Sequence, residues 1–216
     1  MSRMQTNAQA LVPEFEAPEY LRQKCDDMQA EAPYLGLGFK KASLPPHGHE
    51  RLLAQFRANI EHFTPESPSD EIRTAAKATI PALVFEDHKF NAQFAEDLRP
   101  LHEAWAGMPL VLSACYGIRC YQRGTFLYNH VDRQPHFVSS TICVDHALDS
   151  PWPLSIRSID GQLSQVDMQP GELVFYEGSR LAHGRPYPLD GDFYAGIFVH
   201  YYPADTSRTV LDAARR

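Results

Sequence analysis

After Met108 the chain becomes a succession of short runs rich in β-branched and aromatic residues: LVLSACYGIRCY, TFLYN, FVSSTICVD, PLSIRSI, ELVFYE and DFYAGIFVHYY. Turn residues separate them, at Arg123-Gly124, Asp149-Ser150-Pro151, Asp160-Gly161, Pro170-Gly171 and Asp190-Gly191. Many short strands joined by tight turns hide their apolar faces as a sandwich or a rolled barrel.

The first half reads differently. Residues 14–30 are moderately helical. PPHGHERLLAQFRANIEHF then sets Leu52, Leu53, Phe56, Ile60 and Phe63 at helical spacing behind Pro45-Pro46. A second stripe runs through Phe90, Phe94 and Leu98 and resumes at Leu101 and Trp105. Pro100 has no N–H to donate, so a break or a fresh helix start is expected there. TPESPSD, around 64–70, reads as a loop.

The expected division is a flexible tail at 1–12, a helical support region at 13–107, a β core at 108–205 and a second tail at 206–216. Together these make one domain of mainly β with α (α+β) class, with helices packed against one sheet. A length of 216 residues suits a single domain.

Composition narrows the partners. Net charge is −7, and the Lys and Arg residues are scattered. Nucleic acid is therefore not an expected partner. No apolar run approaches the roughly 20 residues that span a bilayer, so no membrane partner is expected either. MSRMQTNAQALVPEFE lacks the apolar core of an export signal. The four cysteines, Cys25, Cys115, Cys120 and Cys143, form no CxxC pair. Free thiols and a reducing, cytoplasmic setting are the expectation. No feature sets an oligomeric state.

The chemistry concentrates at His130-Val131-Asp132, which closes the segment RCYQRGTFLYNHVD. Strand alternation puts His130 and Asp132 on one face with Val131 opposite. A further histidine, His183, follows in RLAHGRP. The preceding PGELVFYEGS reads as a strand and a turn at Gly178-Ser179, with a second strand expected over Arg180–His183. Two imidazoles and one carboxylate match the facial ligand set of non-haem Fe(II) oxygenases, which leaves open positions for a cosubstrate and dioxygen. Taken singly, each residue also suits an ordinary hydrogen-bonded place in a strand.

Of the other histidines, His47, His49, His62, His88 and His102 read as solvent-facing. His136 and His146 read as loop residues flanking a strand. His200 belongs to the alternating set Tyr194, Gly196, Phe198, His200 and Tyr202, and either approaches a cosubstrate or sits satisfied in the core.

The run YQRGTFLYNHVDR, then FVSSTICVD, SPWPLSI and PGELVFYEGSRLAHGRPYPLDGDFYAGIFVHYYP, resembles prolyl-4-hydroxylase-like Fe(II)/2-oxoglutarate dioxygenases over about 110–205. The resemblance implies a double-stranded β-helix (a jelly roll, cupin-like) buttressed by N-terminal helices. It implies Fe(II) held by His130, Asp132 and His183, and 2-oxoglutarate hydrogen-bonded by Tyr121. Dioxygen is then the co-reactant, with ascorbate as a supporting reductant. Asp132 stands where halogenating relatives carry a small residue, which favours hydroxylation, desaturation or ring formation. The substrate class implied is an amino acid, a short peptide or a related small molecule.

One position departs from the family. Many relatives carry an Arg or Lys on the strand after the second histidine, where it grips the far carboxylate of 2-oxoglutarate. Here that stretch is Gly191-Asp192-Phe193-Tyr194, without a cation. A buried dicarboxylate needs a positive partner, and a guanidinium meets a carboxylate with two parallel hydrogen bonds. Arg185, two residues past His183, is the preferred substitute; Arg119 and Arg157 compete, and a strand-end salt bridge is the ordinary alternative for Arg185.

Ser139 and Thr141, on one strand face, are candidate hydroxyl donors to the cosubstrate. Trp152 either lines a substrate mouth or packs under its own turn. Two rival functions are a metal-binding or 2-oxoglutarate-sensing jelly roll without turnover, and a cupin-like metal enzyme independent of 2-oxoglutarate. The second would draw more histidines from clustered motifs.

Overall fold

The computed structural model describes residues 17–66 and 80–205. The tails expected at 1–12 and 206–216, and most of the loop expected at 64–70, lie outside the described residues. Three α-helices are described: α1 (Glu19–Glu31), α2 (Pro46–Ala58) and α3 (His88–Ala106). The strands are β1 (Phe39–Ser43), β2 (Thr64–Pro65), β3 (Leu83–Phe85), β4 (Leu110–Cys115), β5 (Ile118–Gln122), β6 (Leu127–His130), β7 (Val138–Leu148), β8 (Leu154–Arg157), β9 (Leu163–Val166), β10 (Glu172–Tyr176), β11 (His183–Arg185) and β12 (Gly191–Pro203).

They build two antiparallel sheets. The larger runs β1-β10-β7-β12-β5-β3-β2, with β4 also paired to β12; the smaller runs β6-β11-β8-β9. Two such sheets rolled against each other form the jelly roll expected from the short-strand pattern.

Alternation along β7 explains why the larger sheet has helices on one face only. Val138, Ile142 and Val144 join the cluster that includes Leu52 and Phe56 of α2 and Phe94 and Leu98 of α3. The opposite face carries Ser139, Thr141 and Cys143 into the interior between the sheets. Burying each large side chain of the helix-side cluster contributes about 1.5–3 kcal/mol, so this layer anchors the fold. Tyr201 of β12 adds a directional tie by donating to the Ala95 carbonyl at 2.6 Å.

The helix ends follow from local chemistry. Pro46 occupies the first turn of α2, where its missing donor costs nothing. The Asp87 carboxylate accepts from the Phe90 amide at 3.0 Å and caps α3. Gly107, at φ 67°, closes the same helix in the left-handed conformation.

Four expectations are corrected. α3 runs unbroken through Pro100, because Glu96 and Pro100 both face solvent, where water can serve the carbonyl that proline cannot. Ile60 is 59% exposed, since α2 ends at Ala58 and a 3-10 turn redirects the chain. The second histidine-bearing strand begins at His183, with Arg180 still in the turn. The first half is also not purely helical, because β1 pairs with β10 and β3 with β5.

His102 is a further correction: it is fully buried, at 0% exposure. One ring nitrogen lies 3.0 Å from the Leu98 carbonyl and the other 2.8 Å from Ser140 Oγ, the polar residue on the helix side of β7. Phe175 and Tyr201 pack on the ring. Burial pushes its pKa down to about 4, against about 6.5 in an unfolded chain. The unfolded state therefore takes up a proton first as pH falls. His102 contributes stability that is complete above pH 6.5 and is lost progressively towards pH 4. Urea unfolding of wild type and His102→Gln at pH 7 and pH 4 is expected to show the gap between them narrowing by about 3 kcal/mol. A constant gap would contradict a neutral buried ring.

Candidate functional site

β6 and β11 are neighbours in the smaller sheet, and their register sets His183 directly opposite His130. The approach is close: a Cβ on Gly184 would lie 2.6 Å from the Tyr128 carbonyl oxygen and 2.8 Å from that of Leu127, so only glycine fits. Asp132 lies just past the end of β6, its amide donating to the Gly178 carbonyl at 2.8 Å.

One ligand atom from each of His130, Asp132 and His183 lies within 4.8 Å of the others. Asp132 Oδ1 is 4.0 Å from His130 Nε2 and 3.6 Å from His183 Nε2. The structure thus brings together the three residues that the sequence nominates.

Both imidazoles are preset for coordination. His130 Nδ1 donates to the Tyr128 carbonyl at 2.9 Å, and His183 Nδ1 to the Leu181 carbonyl at 2.7 Å. A neutral ring that donates from Nδ1 keeps its lone pair on Nε2, the atom facing the cluster. Burial lowers the His130 pKa to about 4, so that ring is neutral at pH 7. Burial opposes charge on Asp132 as well, yet the surrounding His183, His200 and His130 hold its carboxyl below the usual carboxylate range. Two imidazole nitrogens and a carboxylate oxygen aimed at one point are a donor set that fits a divalent first-row ion.

The turn behind Asp132 is fixed from outside. The Glu177 carboxylate accepts from the amides of Leu35, Leu37 and Gly38 at 2.7–2.9 Å. Arg180 donates to the carbonyls of Gln29 and Ala32 at 2.6 and 3.2 Å. The last turn of α1 and the chain between it and β1 thereby hold residues 177–180 in place. Gly178 in this turn has no room for a Cβ, which would overlap Asp132 Oδ2 and Ser139 Oγ and stand 2.7 Å from the His136 carbonyl oxygen.

Ser139 itself departs from expectation. Its hydroxyl lies 3.2 Å from Asp132 Oδ2 and 2.8 Å from His200 Nδ1, so it serves the carboxylate rather than standing free for a cosubstrate. His200 is buried beside it, and His136 stacks on His200 with ring centroids 4.3 Å apart. His136 lies in the loop before β7, as expected, yet it is buried, because contacts from Ser113 and Tyr116, far back in the chain, cover it.

Beyond His183 on β11, Arg185 is 4% exposed. Its guanidinium donates to the Trp152 carbonyl and, at 2.8 Å, to the Tyr194 hydroxyl. It lies 4.7 Å from the Trp152 ring centroid and 4.3 Å from that of Tyr194. Among the described residues no carboxylate pairs with it. Tyr194 stands in the stretch that lacks a cation, so a cation from the neighbouring sheet reaches the place that β12 leaves uncharged.

The competing arginines are committed elsewhere. Arg119 bonds the Glu66 carboxylate at 2.7 and 3.0 Å, and Arg157, on the exposed side of β8, donates to the Gly161 carbonyl.

Tyr121 is buried, with its ring 5.3 Å from that of Trp152, and burial raises its pKa to about 12. Its phenol therefore stays protonated and able to donate. Thr141 is buried on the same face of β7 as Ser139. Trp152 neither lines a mouth nor packs under its own turn. It is 3% exposed, bonded to the Tyr187 carbonyl at 2.7 Å and packed between Tyr121, Tyr194 and Arg185.

Gly178→Ala is expected to displace the Asp132 carboxylate and weaken divalent-metal binding at this cluster about tenfold or more. Nickel titration of the folded variant checks it, and wild-type affinity would show that the close packing is irrelevant.

No protein-family model and no curated protein sequence matches the chain. Solved structures do. A prolyl-4-hydroxylase from Pseudomonas putida superposes with a TM-score of 0.57 at 17% identity, covering 84% of this chain and 98% of its own. A prolyl hydroxylase from Trichoplax adhaerens, in complex with a hypoxia inducible factor oxygen degradation domain peptide fragment, gives 0.59 at 13% identity over 90% and 97%. HygX from Streptomyces hygroscopicus, with nickel, 2-oxoglutarate and hygromycin B bound, gives 0.55 at 15% over 87% and 88%. The chain has the double-stranded β-helix fold of the prolyl-4-hydroxylase-like oxygenases.

Proposed function

We propose that the protein is an Fe(II)- and 2-oxoglutarate-dependent oxygenase. It hydroxylates an unactivated C–H bond of an amino acid, short peptide or related small molecule and releases succinate and carbon dioxide. One juxtaposition carries this reading: the His130–Asp132–His183 cluster and the buried, carboxylate-free Arg185 share strand β11. Residues two apart on a strand are separated by roughly 6.6 Å, the scale of a five-carbon dicarboxylate that touches both. A buried guanidinium without an anion is costly, and an anionic cosubstrate relieves that cost.

In this reading His130, Asp132 and His183 hold ferrous iron. When bound, the ion supplies dioxygen activation coupled to oxidation of 2-oxoglutarate, which no side chain of the protein can provide. Arg185 takes the far carboxylate, held in plane by Trp152 and Tyr194. Tyr121 donates its phenolic hydrogen to the same carboxylate, and the Thr141 hydroxyl adds a donor on the β7 side. Trp152, Tyr176 and Tyr194 exclude water from this end of the roll, which strengthens each charge-assisted hydrogen bond made there. The peptide and hygromycin B named with two of the superposed structures belong to those proteins, and they support a pocket that takes a peptide or small-molecule substrate.

The test is succinate release by the full chain supplied with Fe(II), 2-oxoglutarate, dioxygen and ascorbate, screened over amino acids and short peptides. Asp132→Ala and His183→Ala are expected to abolish it while the fold persists. Arg185→Ala is expected to raise the 2-oxoglutarate requirement about ten- to a hundredfold, the value of one or two charge-assisted hydrogen bonds. Full turnover in either ligand variant refutes the assignment, and an unmoved 2-oxoglutarate requirement removes Arg185 from the carboxylate role and reopens it for Arg119 or Arg157, whose present partners would then have to yield. Metal binding without succinate from any substrate favours a sensor instead.

A further inference from the structure

We infer that His200, acting through Ser139, is a positioning residue that makes Asp132 a one-oxygen ligand, and that His136 holds His200 in the orientation this requires. The inference rests on the metal-site reading above and concerns how the carboxylate is presented.

A carboxylate has two equivalent oxygens and can engage an ion through one or both. With three protein ligands, a carboxylate bound through both oxygens takes a fourth position. The ion then has fewer places for a chelating cosubstrate and a second small molecule. At Asp132 the two oxygens are made inequivalent. Oδ1 faces the Nε2 atoms of His130 and His183. Oδ2 faces away from them, 3.2 Å from Ser139 Oγ and 3.5 Å from His200 Nδ1.

Proton accounting gives the direction of this contact. An ionised carboxylate only accepts, so Ser139 must give its single hydrogen to Oδ2 to bond it. Ser139 then accepts at 2.8 Å from His200 Nδ1, which must carry the ring hydrogen. The order is His200 to Ser139 to Asp132.

The device is braced on two sides. His136 stacks on His200 at 4.3 Å with an interplanar angle of 17°. His136 is itself bonded at both nitrogens, to Ser113 Oγ at 2.8 Å and Tyr116 Oη at 3.0 Å. Tyr116 Oη also accepts from Arg133 at 3.0 Å, and its ring packs edge-on against His200. On the other side the Gly178 backbone packs so near Oδ2 that an added Cβ would overlap it. A plain core role for His200 would need one satisfied nitrogen. It would not call for a second imidazole fixed at both ends to hold the first flat.

The test uses the metal-free full chain titrated with Co(II) under anaerobic conditions, reading affinity and visible absorption, which reports coordination number. Ser139→Ala and His200→Phe are expected to weaken cobalt binding about ten- to a hundredfold and to alter the band intensities. Thermal unfolding of the metal-free proteins stays within a few degrees of wild type. His200→Asn, which keeps a side-chain N–H, is expected to recover most of the affinity.

Wild-type cobalt affinity and spectrum in both Ser139→Ala and His200→Phe overturn the inference while leaving the metal site intact. So does a His200→Asn variant as weak as His200→Phe. If His200→Phe fails to fold, Ser139→Ala decides alone, since it removes one hydroxyl and little volume. A wild-type chain that binds no cobalt overturns the metal-site reading, and this inference with it.

Discussion

The pairing of β6 with β11 is the contact on which the site depends. It joins two segments more than fifty residues apart and sets His130 opposite His183, with a register shift before Arg185 meets Leu127. A slip of one residue would turn every side chain of a strand to the other face and aim one imidazole away. Gly184 lets the backbones close, while the Leu181 and Tyr128 carbonyls fix the rings once they are close. Asp132 needs a separate constraint because it stands past the end of its strand. The turn at 177–180 supplies it, pinned by Arg180 to the last turn of α1 and by Glu177 to the segment that follows. The first half of the chain thus reaches the site by holding a turn still, in addition to supporting a sheet.

Charge placement follows the same economy. A cation buried at the end of the smaller sheet is tolerated because two aromatic faces, a carbonyl and a phenol surround it. Those contacts orient the guanidinium without neutralising it. Arg119, only partly buried, has the Glu66 carboxylate and therefore carries no comparable demand for an anion. These two arginines differ in their partners as well as in exposure, Arg185 being buried and Arg119 only partly so.

Sequence patterns exposed some of this and concealed the rest for identifiable reasons. The strands of the second half were legible because their turns are punctuated by glycine and proline. The ligand trio was legible because the residue types are chemically specific. β1 was not, since FKKAS is an edge strand whose exposed lysines guard it against pairing with other chains, and such a strand reads as a loop. His102 carried a usable signal: it continues the Phe94–Leu98 stripe by four residues, and polarity alone made it look exposed. Alternation put Ser139 on the interior face but could not say that Asp132 and His200 wait there. That depends on a turn and on a strand sixty residues later. Nor could it show that Trp152 packs beneath Arg185.

The two faces of β7 divide the labour. Val138, Ile142 and Val144 meet the helices in an apolar layer whose burial stabilises the fold. Ser139 and Thr141 face an interior where polar groups are costly unless paired. Ser139 meets that demand through Asp132 and His200, and Arg185 meets it in part through Tyr194 and Trp152. The interior is thus a place where hydrogen bonds decide orientation more than they add stability. Because the helix-side layer is continuous behind it, changes at Ser139, His200 or Arg185 should move the geometry of the site well before they threaten the fold. That separation lets the function of these residues be tested without confusing it with their contribution to folding.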